Sequence, residues 1–330
     1  MKVLLIGSGK GGVGKSTLSV CIAFLLRNLG LKVGLIDADI YGPSLNEMMP
    51  VQRLPEEKDG MLRPALANGI EVISLAHFPK FEKGAFFRAP LINSIVDQFL
   101  TKVSWDNRDV LIIDLPPGTG DIQLTILQKL KDPLAILVTT PQQISFIDVE
   151  KAIYLFQRLN IKILGVIENM SYYQDLFSGE KIEIFGSGAA DRLASIYNIS
   201  LLGKVPIDPK LCHSLDVGSG PNFGLSYDEL FKIGVEISNQ LCDHSAEVEE
   251  SRFELLSPSE VVLEFLGQKK VLNAEKLLLH CPCARCGQMQ MEVKNSKILG
   301  AEKIGSIGLK FNFSKGCNRG IYTWKYLAEI

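Results

Sequence analysis

The apolar positions of the chain fall first into short unbroken runs: Val3–Gly7, Val33–Asp37, Val72–Leu75, Val110–Asp114, Leu134–Thr139 and Ile163–Ile167. A run that is apolar at nearly every position, rather than at every second one, marks a strand covered on both faces. Between the runs lie longer stretches with helical patterning, among them Lys15–Leu29, Pro90–Leu100 and Ile144–Leu159. This alternation predicts an α/β fold, a mostly parallel sheet with helices on both faces. Near residue 243 the pattern changes. Asp243 to Glu254 is polar and acidic, and Ser257-Pro258 reinforces the break. Beyond it, the short alternating runs Val261–Leu266, Leu309–Phe313 and Ile321–Tyr326 predict a small β-rich domain. The expected division is residues 1–242, a linker 243–256 and a module 257–330.

A chain of 330 residues is long enough for two such domains, each with its own core. Lys plus Arg number 35 and Asp plus Glu 37, a net charge of −2. Without a basic excess, no nucleic-acid or membrane-surface partner is expected. No apolar run reaches the length of a membrane span, and Val3–Ile6 is too short for a signal-peptide core. The expected location is the cytoplasm. Thiols stay reduced there, so clustered cysteines point to metal rather than to disulfides. Four of the seven cysteines, Cys281, Cys283, Cys286 and Cys317, crowd the last fifty residues, whereas Cys21, Cys212 and Cys242 stand alone.

The clearest chemistry lies between the first strand and the first helix, at Gly9-Lys10-Gly11-Gly12-Val13-Gly14-Lys15-Ser16-Thr17. Its G-x-x-x-x-G-K-S spacing is the P-loop pattern. Glycines let backbone N–H groups turn inward around phosphate oxygens, and the helix N-terminus adds positive potential. Lys15 is expected to bridge the β and γ phosphates of ATP, and Ser16 to ligate Mg²⁺. Asp37 and Asp39 end the second strand, and Asp114 ends the apolar run from Val110 in the Walker B arrangement. Carboxylates at the C-terminal ends of parallel strands lie at the ligand edge of the sheet. Asn169 follows the last strand and can donate to and accept from an adenine edge at once.

Lys10 inside the glycine loop gives the segment a close resemblance to the deviant P-loop of the MinD, ParA and nitrogenase-iron-protein superfamily. The resemblance implies a nucleotide-gated homodimer in which Lys10 reaches the partner's nucleotide. It makes Asp37-Ala38-Asp39 switch I: one aspartate positions the attacking water, with the choice leaning to Asp39, and the other supports Mg²⁺. It makes Pro116-Pro117-Gly118-Thr119-Gly120-Asp121 switch II, and it assigns Asn169, with help from Asp208, to adenine. The phrases Asp39-Ile40-Tyr41-Gly42-Pro43-Ser44, Thr139-Thr140-Pro141-Gln142 and Glu168-Asn169-Met170-Ser171 narrow this to the Mrp (ApbC) family of iron–sulfur cluster carrier ATPases. That family implies slow ATP hydrolysis, with apoprotein clients or an assembly scaffold as partners. Two alternatives remain open: an ATP-gated adaptor that has lost the cluster, and a MinD- or ParA-like positioning ATPase.

One departure stands out. The family carries a C-x-x-C pair shortly after ENMSY, whose thiolates bridge a [4Fe–4S] cluster across the dimer; here Asp175 and Ser178 stand in those places. Hard oxygen donors replace soft thiolates poorly. At the other end, Cys281, Cys283 and Cys286 with Gly316-Cys317-Asn318-Arg319-Gly320-Ile321-Tyr322 resemble the module at the N-terminus of gamma-butyrobetaine hydroxylases. That module binds zinc through C-x-C-x-x-C and a distant histidine, whose place Cys317 takes here. The implied site is a Cys₄ tetrahedron, for Zn²⁺ or an iron–sulfur cluster.

Overall fold

The computed structural model describes residues 1–40, 42–78, 89–105, 107–241, 252–265, 268–281, 295–304, 308–318 and 320–330. Contacts divide the chain into two units, Met1–Arg27 with Lys32–Gly234 and Asn28–Leu31 with Val235–Ile330. The strands of the first are β1 (Lys2–Ser8), β2 (Val33–Asp37), β3 (Val51–Arg53), β4 (Glu56–Lys58), β5 (Met61–Arg63), β6 (Ala65–Ala67), β7 (Ile70–Ile73), β8 (Val110–Asp114), β9 (Leu134–Thr139), β10 (Lys162–Glu168), β11 (Tyr173–Gln174), β12 (Lys181–Ile182) and β13 (Leu201–Lys204). The helices that begin in it are α1 (Lys15–Asn28), α2 (Leu45–Met48), α3 (Ala89–Thr101), α4 (Asp121–Lys129), α5 (Gln143–Arg158), α6 (Ala189–Tyr197), α7 (Pro209–Asp216) and α8 (Tyr227–Leu241).

A nine-stranded sheet runs in the order β13-β10-β9-β1-β8-β2-β7-β6-β3. It is parallel from β13 to β7 and turns antiparallel at β6 and β3. The first strand of the chain is thus central, and its neighbours β8 and β9 come more than a hundred residues later. Leu5, Ile36, Ile113, Leu137 and Val166 from the sheet pack with Ile126 of α4 and Val149, Ile153 and Phe156 of α5. Each such buried aliphatic or aromatic side chain contributes about 1.5–3 kcal/mol. Helix α1 is buried continuously from Leu18 to Leu26. A helix apolar on every side is a core helix, so the loop that leads into α1 is anchored by packing.

The second unit holds two small antiparallel sheets. One is β14 (Arg252–Ser257), β15 (Glu260–Phe265) and β16 (Gln268–Asn273), followed by α9 (Ala274–Leu279). The other is β17 (Ile298–Ile304), β18 (Gly308–Phe313) and β19 (Ile321–Thr323), followed by α10 (Trp324–Glu329). Their core joins Val261, Leu263, Leu277, Phe311 and Tyr322 with Cys317, and Cys281 packs against it.

Several boundaries differ from the sequence reading. The run expected as Val72–Leu75 is strand only over Ile70–Ile73, because Ser74 caps a 3-10 turn that begins at Leu75. The alternation expected over Ile321–Tyr326 stops at Thr323, whose hydroxyl accepts the Tyr326 N–H and caps α10. The expected linker is already strand from Arg252, since Phe253 and Leu255 pair with Leu263 and Val261; residues 243–251 lie outside the described residues. Among the described residues, no helix is long and apolar enough to cross a membrane.

Candidate functional site

The strand order brings the C-terminal ends of β1, β8 and β2 side by side, with Ile6 opposite Asp114 and Asp114 opposite Asp37. A cavity of about 200 Å³ opens there. It is lined by the glycine loop (Lys10, Gly11, Gly12, Gly14), by Lys15, Ser16 and Thr17 at the start of α1, and by Asp39, Ser44 and Pro117. Two glycines are dictated by close approach. A side chain on Gly9 would meet the backbone of Asp148 at 2.2 Å, and one on Gly14, whose φ is +79°, would meet Asn169 Nδ2 at 2.2 Å. Val13 between them is buried.

Beneath the loop, charged and hydroxyl groups converge on Asp114, which is fully buried. Lys15 Nζ lies 2.8 Å from Asp114 Oδ1. The Ser16 hydroxyl donates to Oδ2 at 2.6 Å and the Ser19 hydroxyl to Oδ1 at 2.7 Å. A buried ion pair holds only when its remaining lone pairs are satisfied, and the two serines satisfy them. Ser19 was not foreseen; its place one turn after Lys15 on the same helix was the available signal.

Asp37 is 2% exposed and does not line the cavity. Its carboxylate accepts from the backbone N–H groups of Asp39, Ser44 and Leu45 and from the Ser74 hydroxyl. Burial, with the neighbouring Asp114 charge, pushes the Asp37 carboxyl up to about 7. Asp39 is half-buried, faces the cavity and accepts from Gly42 N. Lys10 also lines the cavity, and among the described residues no carboxylate pairs with it. After β8, Gly118 N–H donates to Ser8 O at 3.1 Å.

Asn169 is buried and donates from Nδ2 to Val13 O at 2.9 Å, so it is tied to the glycine loop itself. Asp208 caps α7 through Lys210 N and Leu211 N, while its other oxygen takes Gly224 N, Ser226 N and the Ser226 hydroxyl. Burial works to raise the Asp208 carboxyl, but these donors outweigh it and hold it below the usual carboxylate range. Asp208 thus fixes the 208–226 loop with both oxygens engaged.

Asp175 and Ser178 sit in an exposed turn between β11 and β12. Asp175 Oδ1 accepts from Phe177 N, Ser178 N and the Ser178 hydroxyl, and Ser178 Oγ accepts Glu180 N. The two residues close a hairpin tip with their own oxygens. Of the four C-terminal cysteines, Cys317 is buried and Cys281 half-buried against the same core, whereas Cys283 and Cys286 lie outside the described residues. Among the described residues, no group of three His, Cys, Asp or Glu is arranged for a metal ion. Cys21 is buried in α1, where burial pushes its thiol up. Exposed Cys212 donates to Asp216, and Cys242 lies outside the described residues.

Residues 1–241 match the family model described as NUBPL iron-transfer P-loop NTPase, and residues 258–328 match the gamma-butyrobetaine hydroxylase-like N-terminal model. The iron-sulfur cluster carrier protein of Rickettsia conorii is 44% identical over 215 residues, which cover 65% of this chain and 64% of that protein. The protein of the same name from Deinococcus radiodurans is 41% identical over 219 residues, covering 66% and 62%. The chain thus spans just under two thirds of the length of these relatives. Among solved structures, a nucleotide-binding protein from Archaeoglobus fulgidus in complex with ADP is 36% identical, with a TM-score of 0.61, covering 70% of this chain and 91% of that one. MinD of Pyrococcus horikoshii with Mg-ADP, at 20% identity and a TM-score of 0.51 over 73% of this chain and 99% of its own, shares the fold.

Proposed function

From the premise that the chain belongs to the NUBPL iron-transfer P-loop NTPase family, we propose that it binds Mg·ATP, hydrolyses it slowly, and uses the nucleotide to gate an iron–sulfur carrier or assembly function. The observation that carries this reading is the convergence of Lys15, Ser16 and Asp114 under a glycine loop at the sheet's C-terminal edge.

In this reading the backbone amides of Gly9, Lys10, Gly11, Gly12, Val13 and Gly14, with Thr17, surround the phosphates. Lys15 leaves Asp114 for the β and γ phosphates, exchanging one anion for another. The oxygen-only pair Ser16 and Asp114 fits a hard cation: Mg²⁺, when bound there, neutralises phosphate charge. Asp39, facing the cavity, orients the attacking water, and buried Asp37 holds the segment that carries Asp39. Asn169 reads the adenine edge while gripping Val13, and Asp208 supports that side through the loop it fixes. Lys10 acts in trans across a homodimer, as an arginine finger does.

We assign nucleotide work to residues 1–242 and metal binding to the C-terminal module, whose first strand β14 already begins at Arg252. The cluster is cargo. Asp175 and Ser178 do not fit it, because they offer hard oxygens in place of thiolates, and Asp175 Oδ1 and Ser178 Oγ are engaged in the hairpin tip. The remaining thiolate set is Cys281, Cys283, Cys286 and Cys317, for Zn²⁺ or a cluster; the second family match and the packing of Cys281 against the core that holds Cys317 support it. We place this work in the cytoplasm, on protein clients or an assembly scaffold rather than on nucleic acid or membrane. A second reading, an ATP-gated adaptor without cargo of its own, is favoured by the same closed hairpin tip.

The test is Mg·ATP binding by a fluorescent analogue, with phosphate release, on the full chain and on Lys15→Ala. Binding is expected in the parent and lost in the variant. Equal affinity in both would sink the site assignment.

A further inference from the structure

Asp37 ends β2, and β7 lies beside it in parallel register, with Ile36 opposite Ile73. The next position along β7 is Ser74, fully buried. Its hydroxyl donates to Asp37 Oδ2 at 3.1 Å and accepts the Ala76 N–H at 3.3 Å. The bond from Ala76 takes one side of the oxygen, so the single hydroxyl proton is aimed at the carboxylate. Ser74 is held in turn: its backbone N–H donates to His77 Nδ1 at 3.2 Å, completing a reciprocal cap on the turn Leu75–His77. An imidazole that accepts at Nδ1 is neutral with its proton on Nε2. His77 Nε2 is buried with no hydrogen-bond partner, so the ring stays there at the cost of that orphaned donor.

The other donors to Asp37 belong to the segment that forms a wall of the cavity. Asp39 N bonds Oδ1, Ser44 N and Leu45 N bond Oδ2, and both Asp39 and Ser44 line the cavity. Asp37 is therefore a buried knot that ties the cavity wall, and Ser74 is the side-chain donor that reaches the knot from the neighbouring strand. We propose that Ser74, oriented by His77, is a positioning residue of the nucleotide site: it fixes the Asp37 carboxylate and through it the placement of Asp39 and Ser44 toward the phosphates. The proposal rests on the ATPase reading above and extends it to a residue outside the loop and the switches. Ser74 is fully buried and does not line the cavity. Its effect falls on the reacting arrangement rather than on nucleotide affinity, which the glycine loop and Lys15 supply.

The experiment compares the full chain with Ser74→Ala, Ser74→Thr, Asp37→Asn and the double variant Asp37→Asn/Ser74→Ala. Mg·ATP affinity, kcat, KM and thermal melting are measured on each. A lost hydrogen bond to a buried carboxylate predicts a fall in kcat of about tenfold to a hundredfold in Ser74→Ala, with KM and affinity within about twofold of the parent. Ser74→Thr keeps the hydroxyl and should recover most of the turnover. In the Asp37→Asn background, Ser74→Ala should add little, because the two act as one unit. Parent-like kcat in Ser74→Ala refutes the assignment. So does a joint collapse of affinity, melting temperature and turnover that threonine does not rescue, and so do additive losses in the double variant. A parent chain that binds no nucleotide refutes the ATPase reading and this proposal with it, whereas a parent that turns over ATP beside an unaffected Ser74→Ala refutes the proposal alone.

Discussion

Two buried groups on neighbouring strand ends should pull the stability of the protein in opposite directions as pH changes. Burial pushes the His77 imidazole from 6.5 down to about 4. Burial with the Asp114 charge pushes the Asp37 carboxyl from 3.8 up to about 7. Between pH 4 and 6.5 the unfolded chain holds a proton on His77 that the folded chain does not, so this group makes stability rise with pH. Between pH 4 and 7 the folded chain holds a proton on Asp37 that the unfolded chain has lost, so this group makes stability fall. A tenfold change in proton affinity on folding is worth about 1.4 kcal/mol, which makes the two effects about 3 and 4 kcal/mol across their windows. In the parent they largely cancel. His77→Gln keeps an acceptor for Ser74 N but cannot titrate, and Asp37→Asn keeps the shape but cannot ionise. Urea unfolding of the parent and both variants at closely spaced pH values from 4 to 8 separates the two contributions. The stability of the parent minus that of His77→Gln should climb by about 3 kcal/mol from pH 4 to 6.5. The parent minus Asp37→Asn should drop by about 4 kcal/mol from pH 4 to 7. A flat difference for either variant would show that the group titrates alike in both states, and the reasoning about that group would be wrong.

Lys15→Ala strips a buried carboxylate of its cation, so the nucleotide-free protein should lose about 3–5 kcal/mol; Asp114→Asn in the same chain should restore much of it, and a single variant that melts like the parent counts against the pair. Lys10→Ala should leave Mg·ATP affinity near that of the parent while slowing turnover by at least about tenfold, the direction of an arginine-finger loss; equal turnover would end the trans-acting reading. Metal analysis after aerobic purification should find about one equivalent per chain, lost in Cys283→Ser, with the second unit less stable for the loss. Anaerobic reconstitution of Asp175→Cys/Ser178→Cys should raise bound iron and sulfide above the parent, since soft ligands replace a turn of hard ones; identical iron content would mean that the tip is no cluster site even with thiolates.

Strands β1, β2, β8, β9 and β10 were legible because each is apolar at nearly every position, the pattern that burial on two faces leaves, whereas β13, four residues ending in Lys204, gave no such run. The antiparallel edge was not: β3 and β6 are three residues each, too short for any periodicity to show. That the glycine loop, Lys15, Ser16 and Asp114 come together was legible because the P-loop pattern fixes residue type, spacing and its place between strand and helix. Ser19 and Ser74 were not singled out, since a serine within a helix or after a strand has no signature of its own; only the fold brings their hydroxyls to Asp114 and Asp37. Asn169 was found by its place after a strand, yet its grip on Val13 could not be read from a chain in which the two lie 156 residues apart. The strand end at Thr323 was missed because Ile321–Tyr326 alternates like a strand and Thr323 is a cap that only its bond to Tyr326 reveals.

The central position of β1 has a consequence for synthesis. The strand that leads into the glycine loop pairs with β8 and β9, and the loop's Val13 carbonyl is taken by Asn169. All of these partners are synthesised after the glycine loop. At about 5–20 residues per second, some 8–30 seconds pass between the addition of Lys15 and that of Asn169. Through that interval the nascent chain carries a complete P-loop sequence on an unfinished sheet, since β8 ends only at Asp114 and β9 at Thr139. Nucleotide capture is thus deferred until most of the first unit has been made, and a chain arrested short of β10 would display the motif without the affinity.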